Sequence, residues 1–424
     1  MNNLKRSLYF PVAFYFRFFA MIMMWRWKPR IIVVTGSSGK TTLLNLIASQ
    51  LGNDAKYSHH ANSNFGIPFN ILGLDRKTML LSEWPRLFLR APLHAFKKPP
   101  QEKLYIVEAD CDRPGEDKFI SSLSSFLKPE VTLWVSTGRT HTMNFDHLVR
   151  EGKFPTVEEA IAYEFGHFVK RTTKLVIVNG DSELIRTQLR NTKASVIPIY
   201  AKDLTSYQVS ENGTQFKFGN RIVKLKALLP PSAYYSIRMT LELLNYLGIE
   251  ARSFENFASP PGRSSVFDGI KNTTLIDSSY NANLGSMTTI LEMYTLFPKK
   301  PKWAVIGDML ELGAEEEIEH EKLAKLIAAV DLERLVLMGT RVGQYTYPVL
   351  KELVGDKFPI VAFDNPTQTL AYLKQEIKGG ETILFKGARF LEGVIENLLK
   401  DASEKKDLAR REEIWEKRRK QWGL

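Results

Sequence analysis

The amino-acid sequence predicts an α/β fold in which parallel sheets are covered by helices. Short apolar runs alternate with helical patterns over most of the 424 residues, and a glycine-rich loop joins the first run to a helix. Such alternation is typical of parallel sheets, because parallel strands are usually joined through a helix. The chain is long enough for two or three domains, and Pro260-Pro261-Gly262 indicates a boundary between two of them.

We divide the chain into four parts. An aromatic and basic segment over 1–30 precedes a central P-loop-type nucleotide-binding domain over 31–260, a smaller Rossmann-like domain over 261–400 and a charged helix over 401–424. Residues 196–228 suggest short antiparallel strands, because Asn212-Gly213 is typical of a hairpin turn. The predicted parallel strands lie at 31–34, 104–107, 131–135, 175–178, 274–276, 303–306, 334–337, 360–363 and 382–385. The main predicted helices lie at 237–247, 287–294, 319–328, 368–376 and 391–399.

A phosphate-binding loop is the clearest functional signal. Glycines allow several backbone N–H groups to point at one anion, a lysine supplies positive charge, and the next hydroxyl can ligate Mg²⁺. The loop therefore predicts binding of ATP with Mg²⁺. A chance turn between a strand and a helix is the alternative, and the patterns on both sides argue against it. The loop residues are Thr35, Gly36, Ser37, Ser38, Gly39, Lys40, Thr41 and Thr42.

Composition excludes several classes of protein. A single cysteine, Cys111, rules out a disulfide framework and a cysteine-based zinc site, and indicates a reducing compartment. The net charge is +11, and basic residues are concentrated at the two ends of the chain. Since acidic residues are interleaved over 400–420 and no base-reading motif is present, we expect a solvated helix there and no nucleic-acid partner.

The amino-terminal segment is nearly apolar enough to enter a membrane. Between Leu8 and Trp25 the only charged residue is Arg17, aromatic side chains are dense, and basic residues flank both ends. Pro11 and Arg17 leave fewer than the roughly 20 apolar residues that a spanning helix needs. We therefore expect a cytoplasmic protein held at the inner face of the plasma membrane by this segment. The alternative is a helix packed on the first domain.

Beyond the loop, a series of motifs resembles the Mur ligase family. The resemblance extends from residue 31 to about 400 and is most specific in Tyr280-Asn281-Ala282-Asn283 and in 307–313, which reads Gly-Asp-Met-Leu-Glu-Leu-Gly. The other matching elements are Asn62-Ser63-Asn64-Phe65-Gly66-Ile67-Pro68, Ile106-Val107-Glu108-Ala109, Pro114-Gly115-Glu116, His141, Pro261-Gly262-Arg263, Asp277-Ser278-Ser279, His320 and Lys386-Gly387-Ala388-Arg389.

The resemblance implies an ATP-dependent ligase that forms an amide bond on a muramoyl-peptide precursor of the cell wall. ATP would activate a carboxylate as an acyl phosphate, and an amino acid or a dipeptide such as D-alanyl-D-alanine would then displace the phosphate. The implied catalytic residues are Lys40, Glu108, His141 and Arg263, with Thr41, Glu108 and His141 on Mg²⁺ and with Arg263 and Asp277 on the nucleotide. The implied substrate contacts are Asn62, Asn64, Asn281, Asn283, Asp308 and Glu311, although any of these residues could instead form a turn or a helix cap.

Several features depart from the family pattern. Few residues precede the loop, so we expect that the usual amino-terminal UDP-binding domain is lacking and that another element holds the glycan. The family's carbamylated lysine, a ligand of a second Mg²⁺, is replaced by Phe165, so a carbamate would need Lys153 or Lys170. Ser278 stands where an aspartate is expected at the ribose, with Asp277 adjacent. The insertion over 74–100 has no family counterpart.

Two alternatives to the predicted ligase activity stay open. One is a binding or scaffold relative that has lost turnover, which Phe165 and Ser278 favour and the intact phosphate-binding loop opposes. The other is a ligase of the same family with a different acyl or amine substrate, which the Tyr280–Asn283 motif argues against.

Overall fold

The structure is a computed structural model and describes residues 3–59, 61–76, 81–122, 126–255, 257–387 and 390–424. It contains two compact units. The first unit comprises Met1–Asp203 and Tyr235–Arg252, and the second comprises Leu204–Tyr234 and Ser253–Leu424. Ala388 and Arg389, the end of one matching motif, lie outside the described residues, as do the side chains of Lys5 and Arg6.

The first unit is built on a parallel six-stranded sheet with the strand order β2-β3-β1-β4-β5-β6. Its strands are β1 (Arg30–Thr35), β2 (Ala55–Tyr57), β3 (Leu104–Ala109), β4 (Val131–Trp134), β5 (Leu175–Asn179) and β6 (Ser195–Ile199). The helices are α1 (Asn3–Trp27), α2 (Lys40–Leu51), α3 (Gly66–Leu72), α4 (Trp84–Ala95), α5 (Glu116–Ser122), α6 (Asp146–Arg150), α7 (Val157–Arg171), α8 (Glu183–Gln188) and α9 (Ala233–Leu247).

The central strands of this sheet are buried along almost their whole length, as expected when helices cover both faces. The strands β3, β1 and β4 are neighbours and run in the same direction, with Val34 level with Glu108. The loops that follow these three strands therefore emerge together at one edge of the sheet. This edge is where ligands usually bind in open α/β sheets.

The aromatic amino-terminal segment forms α1, and one face of this helix packs on the first unit. Phe16, Ala20 and Met23 are buried in a core shared with α3, α4 and the sheet. The opposite face of α1 is open, with Phe18 48% and Trp25 70% exposed. None of the described helices combines the length and the apolar character that crossing a bilayer requires.

The second unit contains a six-stranded sheet with the order β10-β11-β15-β12-β13-β14, parallel except for β10, and an antiparallel sheet β7-β8-β9. Its strands are β7 (Leu204–Ser210), β8 (Gly213–Phe218), β9 (Arg221–Leu225), β10 (Ser265–Asp268), β11 (Thr274–Asp277), β12 (Lys302–Gly307), β13 (Arg334–Met338), β14 (Ile360–Phe363) and β15 (Thr382–Lys386). The helices are α10 (Leu284–Leu296), α11 (Glu316–Ala328), α12 (Tyr347–Val354), α13 (Pro366–Glu376), α14 (Leu391–Glu396) and α15 (Glu413–Gln421).

The predicted α/β class with parallel sheets is confirmed, and two local expectations need correction. The hairpin at Asn212-Gly213 is present between β7 and β8, but residues 195–199 form β6, which pairs in parallel with β5 after the crossover helix α8. The expected solvated helix at the carboxyl end covers Glu413–Gln421 and is partly packed, because Arg419 is buried and donates to the carbonyl oxygen of Arg410.

Candidate active site

The phosphate-binding loop lies between β1 and α2, at the edge of the sheet where the strands end. Gly36 has φ +138°, and a Cβ at this position would lie 2.7 Å from the carbonyl oxygen of Ser136, so a side chain cannot be accommodated. Ser37 donates to the carbonyl oxygen of Gly138 (2.8 Å), and the N–H of Ser38 donates to the Ser136 hydroxyl (2.9 Å). The segment after β4 thus holds the phosphate-binding loop in place through hydrogen bonds. Thr35 is buried and donates to the carbonyl oxygen of Ala109 (3.0 Å), and Thr42 lies in the first turn of α2.

Lys40 is buried at the start of α2 and turns back over the loop. Its Nζ donates to the carbonyl oxygen of Gly36 and lies 3.1 Å from Oδ1 of Asp110. Burial lowers the pKa of Lys40, but the carboxylates of Asp110 and Glu108 outweigh burial, so the pKa lies above its ordinary value. The side chain is therefore charged at neutral pH and is positioned beside the loop, as a ligand of phosphate oxygens requires.

Thr41 and Glu108 meet across the ends of two neighbouring strands. The Thr41 hydroxyl donates to Oε1 of Glu108 (3.1 Å), and Nδ2 of Asn62 lies 3.4 Å from Glu108 and 3.4 Å from Asp110. A hydroxyl and a carboxylate next to a phosphate cradle are the hard oxygen ligands that Mg²⁺ prefers. These residues fit the predicted metal position. Asn62, which the resemblance implies as a substrate contact, lies beside these two carboxylates.

His141 lies in the loop after β4 and faces the loop after β3. Its Nε2 is 3.2 Å from Oδ1 of Asp112, and its own backbone is left-handed, with φ 52°. Asn144 supports this arrangement by donating to the carbonyl oxygen of Asp112 (2.8 Å). Lys40, Glu108 and His141, which the resemblance implies as catalytic residues, thus lie near the ends of the neighbouring strands β1, β3 and β4.

The remaining asparagine of the first unit has a different environment. Asn64 is buried beside the hydroxyl of Tyr9, which in turn donates to Glu116. Burial and the negative charge of Asp112 raise the pKa of Glu116 to about 7. Asn64 therefore lies where α1 packs against the motif that contains Glu116.

Phe165 points into the apolar core and away from the site. The side chain is fully buried, with its ring centroid 5.8 Å from that of Trp134. Lys153 is exposed and paired with Glu151, and Lys170 is also exposed. Phe165 therefore contributes no ligand to the cluster around Glu108.

The second unit carries its own cluster at the ends of β11 and β15. Asp277 is buried, which raises its pKa, and its Oδ1 accepts from the N–H of Ser279 (2.9 Å). Lys386 donates to the carbonyl oxygen of Asn281, and burial, together with the positive charge of Arg263, lowers the pKa of Lys386 to about 7. The guanidinium of Arg263 stacks on Tyr280 at 4.1 Å from the ring centroid. Arg263 and Asp277 thus flank the Tyr280–Asn283 motif.

Two of the other predicted substrate residues of this unit, Asn283 and Asp308, hold nearby backbone through hydrogen bonds. Asn283 caps α10 by accepting from the N–H of Ser286 (2.8 Å), so the helix-cap alternative applies to this side chain. Asp308 accepts from the N–H groups of Arg341 (3.1 Å) and Val342 (3.0 Å). Glu311 is exposed with φ 64°, in the same turn as Asp308.

His320 is buried and makes hydrogen bonds to the backbone of Met309 in this turn and of Glu316 in α11. Its Nε2 accepts from the N–H of Met309 (3.3 Å), its Nδ1 donates to the carbonyl oxygen of Glu316 (2.7 Å), and burial lowers its pKa. The neutral ring therefore positions the residues around Asp308.

Two members of the first-unit cluster, Asp110 and Asp112, are not among the residues predicted from the sequence. A signal was available, because they follow Glu108 at two-residue intervals and so continue one side of β3 into the loop. Their proximity to His141 could not be inferred, since the two loops are separated by a strand and a helix in sequence.

The chain is similar to known ligases in sequence. Residues 262–389 match the domain described as "Mur ligase, glutamate ligase domain". The UDP-N-acetylmuramoyl-tripeptide--D-alanyl-D-alanine ligases of Escherichia coli K12 and Buchnera aphidicola are 24% and 25% identical over 73% and 89% of this chain. These matches span 64% and 78% of the two relatives, so the chain covers just under two thirds of the E. coli protein.

Solved structures show the same fold. MurF from Acinetobacter baumannii superposes with a TM-score of 0.71 at 18% identity, covering 90% of this chain and 79% of that one. MurF from Thermotoga maritima in complex with ADP superposes with a TM-score of 0.70 at 22% identity, covering 93% of this chain and 84% of that one. The chain therefore contains a region that matches a Mur ligase domain, is similar in sequence to MurF ligases over most of its length and shares the MurF fold.

Proposed function

We propose that this protein is an ATP-dependent, ADP-forming ligase of cell-wall synthesis. It joins the carboxylate of a muramoyl-peptide precursor to the amine of D-alanyl-D-alanine or a similar amine, through an acyl phosphate. The relatives are named for this reaction, and 24–25% identity to them supports the same reaction class. The similarity to an ADP-bound structure supports ATP as the nucleotide.

The observation that carries the proposal is the convergence of Lys40, Thr41 and Glu108. These residues lie at the ends of the neighbouring strands β1 and β3, where Thr41 is 3.1 Å from Glu108 and Lys40 is 3.1 Å from Asp110. Asn62 lies 3.4 Å from both carboxylates. Lys40 would bind the terminal phosphates at the loop, and Thr41 and Glu108 would hold Mg²⁺. The metal would supply charge neutralisation for phosphoryl transfer, which depends mainly on positioning and electrostatics.

The assignments in the second unit are part of the same proposal. Arg263 and Asp277 are predicted nucleotide contacts, while Asn281, Asp308 and Glu311 are predicted to bind the incoming amine. Asn283 acts through its helix cap, which holds the Tyr280–Asn283 motif in place. His141 remains a predicted metal ligand.

The direct test is incubation with Mg²⁺-ATP, UDP-linked or lipid-linked muramoyl tripeptide, and a panel of amines that includes D-alanyl-D-alanine. We expect ADP release that depends on both substrates, and a product with the mass of the joined peptide. Lys40→Ala should abolish ATP binding measured by calorimetry while the protein stays folded, because the loop loses its charged side chain.

Two outcomes would contradict the proposal. Unchanged ATP affinity in Lys40→Ala would remove the assignment of the phosphate clamp. Tight ATP binding by the wild-type protein without ADP release for any acyl and amine pair would favour the binding or scaffold alternative.

We also propose that α1 and α4 bind the anionic inner face of the plasma membrane. The buried faces of both helices pack into the same core, and the other face of each helix carries exposed apolar side chains. Four exposed basic residues of the α4 region lie beside the apolar side chains, and charge of this kind favours anionic lipid by about 1 kcal/mol for each residue near the surface. These basic residues are Arg86, Arg90, Lys97 and Lys98. The exposed apolar residues are Phe10, Phe14, Phe18, Trp25, Leu89, Leu93 and Phe96.

Co-sedimentation with vesicles tests this surface. We expect the protein to sediment with phosphatidylglycerol vesicles at low salt, less at high salt, and less with phosphatidylcholine. Leu89→Ser combined with Leu93→Ser should weaken binding, whereas Leu353→Ser, at a leucine of the second unit that is 51% exposed, should not. A wild-type protein that ignores anionic vesicles at low salt would refute the proposal.

A further inference from the structure

The carboxyl-terminal segment after α14 contacts the Tyr280–Asn283 motif. Arg410 donates from Nη1 to the carbonyl oxygen of Ser279 (3.2 Å) and from Nη2 to the carbonyl oxygen of Tyr280. Its guanidinium also lies 5.5 Å from the centroid of the Tyr280 ring, on which Arg263 stacks at 4.1 Å. Two guanidinium groups thus lie within cation–π distance of one tyrosine. We propose that Arg410 is a positioning residue, which holds Tyr280 and through it the guanidinium of Arg263.

The backbone around Arg410 is anchored in the second unit. Leu408 and Ala409 are buried, and Arg419, which is also buried, donates to the carbonyl oxygen of Arg410 (2.7 Å). Arg410 has φ 57°, a left-handed conformation that a residue with a side chain adopts at a cost in energy. The surrounding contacts hold this conformation and so fix the point from which the Arg410 side chain reaches Tyr280.

A buried carboxylate offsets the charge of Arg410. Glu392 in α14 is fully buried, with Oε2 3.4 Å from Arg410 and Oε1 3.6 Å from Arg419. This partner matters because two guanidinium groups beside one ring repel each other. The negative charge of Glu392 counteracts the repulsion, so that Arg410 and Arg263 can both lie at Tyr280.

The residue before Arg263 contacts the same segment. Gly262 has φ 72°, and a Cβ at this position would lie 3.2 Å from Cβ of Ala409 and 3.0 Å from Cβ of Tyr280. The N–H of Tyr280 donates to the carbonyl oxygen of Gly262 (3.1 Å). Arg263 is therefore restrained both through its side chain and at the preceding residue. The inference rests on the proposed contact of Arg263 with the nucleotide, and adds to it a residue outside 262–389, the part that matches the family domain.

A double-mutant cycle tests whether Arg410 acts through Arg263. In the ligase assay, we expect Arg410→Met to lower kcat by about 10-fold and to leave the KM for ATP within about 2-fold, because a misplaced group slows the reaction more than it weakens ground-state binding. In the Arg263→Ala background, the same change should cause no further loss. Arg411→Met is the matched control, since this neighbouring arginine pairs with Glu396 (2.5 Å), and it should leave kcat unchanged.

Nuclear magnetic resonance of the arginine Nε–Hε groups measures the same contact without turnover. The Arg263 signal, assigned by its loss in Arg263→Ala, should be shifted by the ring current of Tyr280 and should lose this shift in Tyr280→Leu. We expect the shift to be lost in Arg410→Met and kept in Arg411→Met. Arg410→Lys should lose it as well, because a compact ammonium group lacks the rigid fork that reaches two carbonyl oxygens and Glu392.

These measurements separate the positioning role from the proposed function. An unchanged kcat in Arg410→Met, or a fall of equal size with and without Arg263, would overturn the inference even if the protein is an active ligase. If no ligase activity is found, the Arg263 signal decides. A ring-current shift lost in Arg410→Met and kept in Arg411→Met supports the inference, and any other pattern overturns it. Melting temperatures show whether the variants are folded, and Arg410→Lys, which keeps a positive charge beside Glu392, replaces a methionine variant that is not.

Discussion

Two phenylalanines of α1, two residues apart, should respond in opposite ways to truncation. Phe16 is fully buried, whereas Phe18 is 48% exposed on the other face of the helix. We expect Phe16→Ala to lower the free energy of unfolding of the first unit by about 3–5 kcal/mol, and Phe18→Ala by about 0.5 kcal/mol or less. Vesicle binding should show the reverse order, because only Phe18 is available to lipid.

The magnitude for Phe16 follows from its neighbours. Its ring centroid lies 4.8 Å from that of Phe69, 4.9 Å from Phe88 and 5.9 Å from Trp84. Loss of the ring removes the transfer energy of a whole aromatic side chain and leaves a cavity, and each aromatic pair adds about 0.5–1.5 kcal/mol. In a domain of 150–250 residues, 1 kcal/mol corresponds to about 2–4 °C in melting temperature. The expected fall is therefore about 6–20 °C.

Differential scanning calorimetry and vesicle co-sedimentation of the same two variants form the assay. Equal and small losses of stability would mean that α1 is not part of the folded first unit in solution. Loss of vesicle binding in Phe16→Ala while it is still folded, with none in Phe18→Ala, would mean that the wrong face of α1 has been assigned to the membrane.

Three further predictions concern the site and its surroundings. Burial holds the pKa of Lys386 near 7, below its ordinary 10.5, so between these values the unfolded state binds one more proton than the folded state. The free energy of unfolding should therefore rise with pH from about 7 to 10, by up to about 1.4 kcal/mol per pH unit. Denaturant titrations should show that Lys386→Met lacks this slope. Wild-type activity should be indifferent to added bicarbonate, and a bicarbonate requirement would contradict this prediction. Thermal unfolding should show that Phe165→Lys lowers the free energy of unfolding by several kcal/mol, because an ammonium group enters the core. Arg263→Ala should lower turnover by roughly 10²-fold with little change in ATP affinity by calorimetry, and equal losses in both would make it an ordinary binding residue.

Local sequence patterns predicted the features that depend on neighbouring residues. The loop from Thr35 to Thr42 could be identified because its glycines, lysine and hydroxyl act within one turn of backbone. Strands such as β3 and β15 could be placed within a few residues, since buried parallel strands are short continuous apolar runs. The hairpin at Asn212-Gly213 follows from the turn chemistry of two residues.

Other features were decided by packing between distant segments. The apolar pattern of α1 suits either lipid or a protein core, and only the contacts of Phe16 with α3 and α4 show which face is buried. The orientation of Phe165 likewise depends on how α7 rests on the sheet.

The cluster of Asp110, Asp112 and His141 illustrates the same limit most clearly. The sequence by itself determined the phosphate-binding loop, the parallel α/β architecture and the resemblance to the Mur ligases. Only the tertiary structure decided that Asp110 and Asp112 lie beside His141, because the order of strands in the sheet, and not distance along the chain, sets which loops meet.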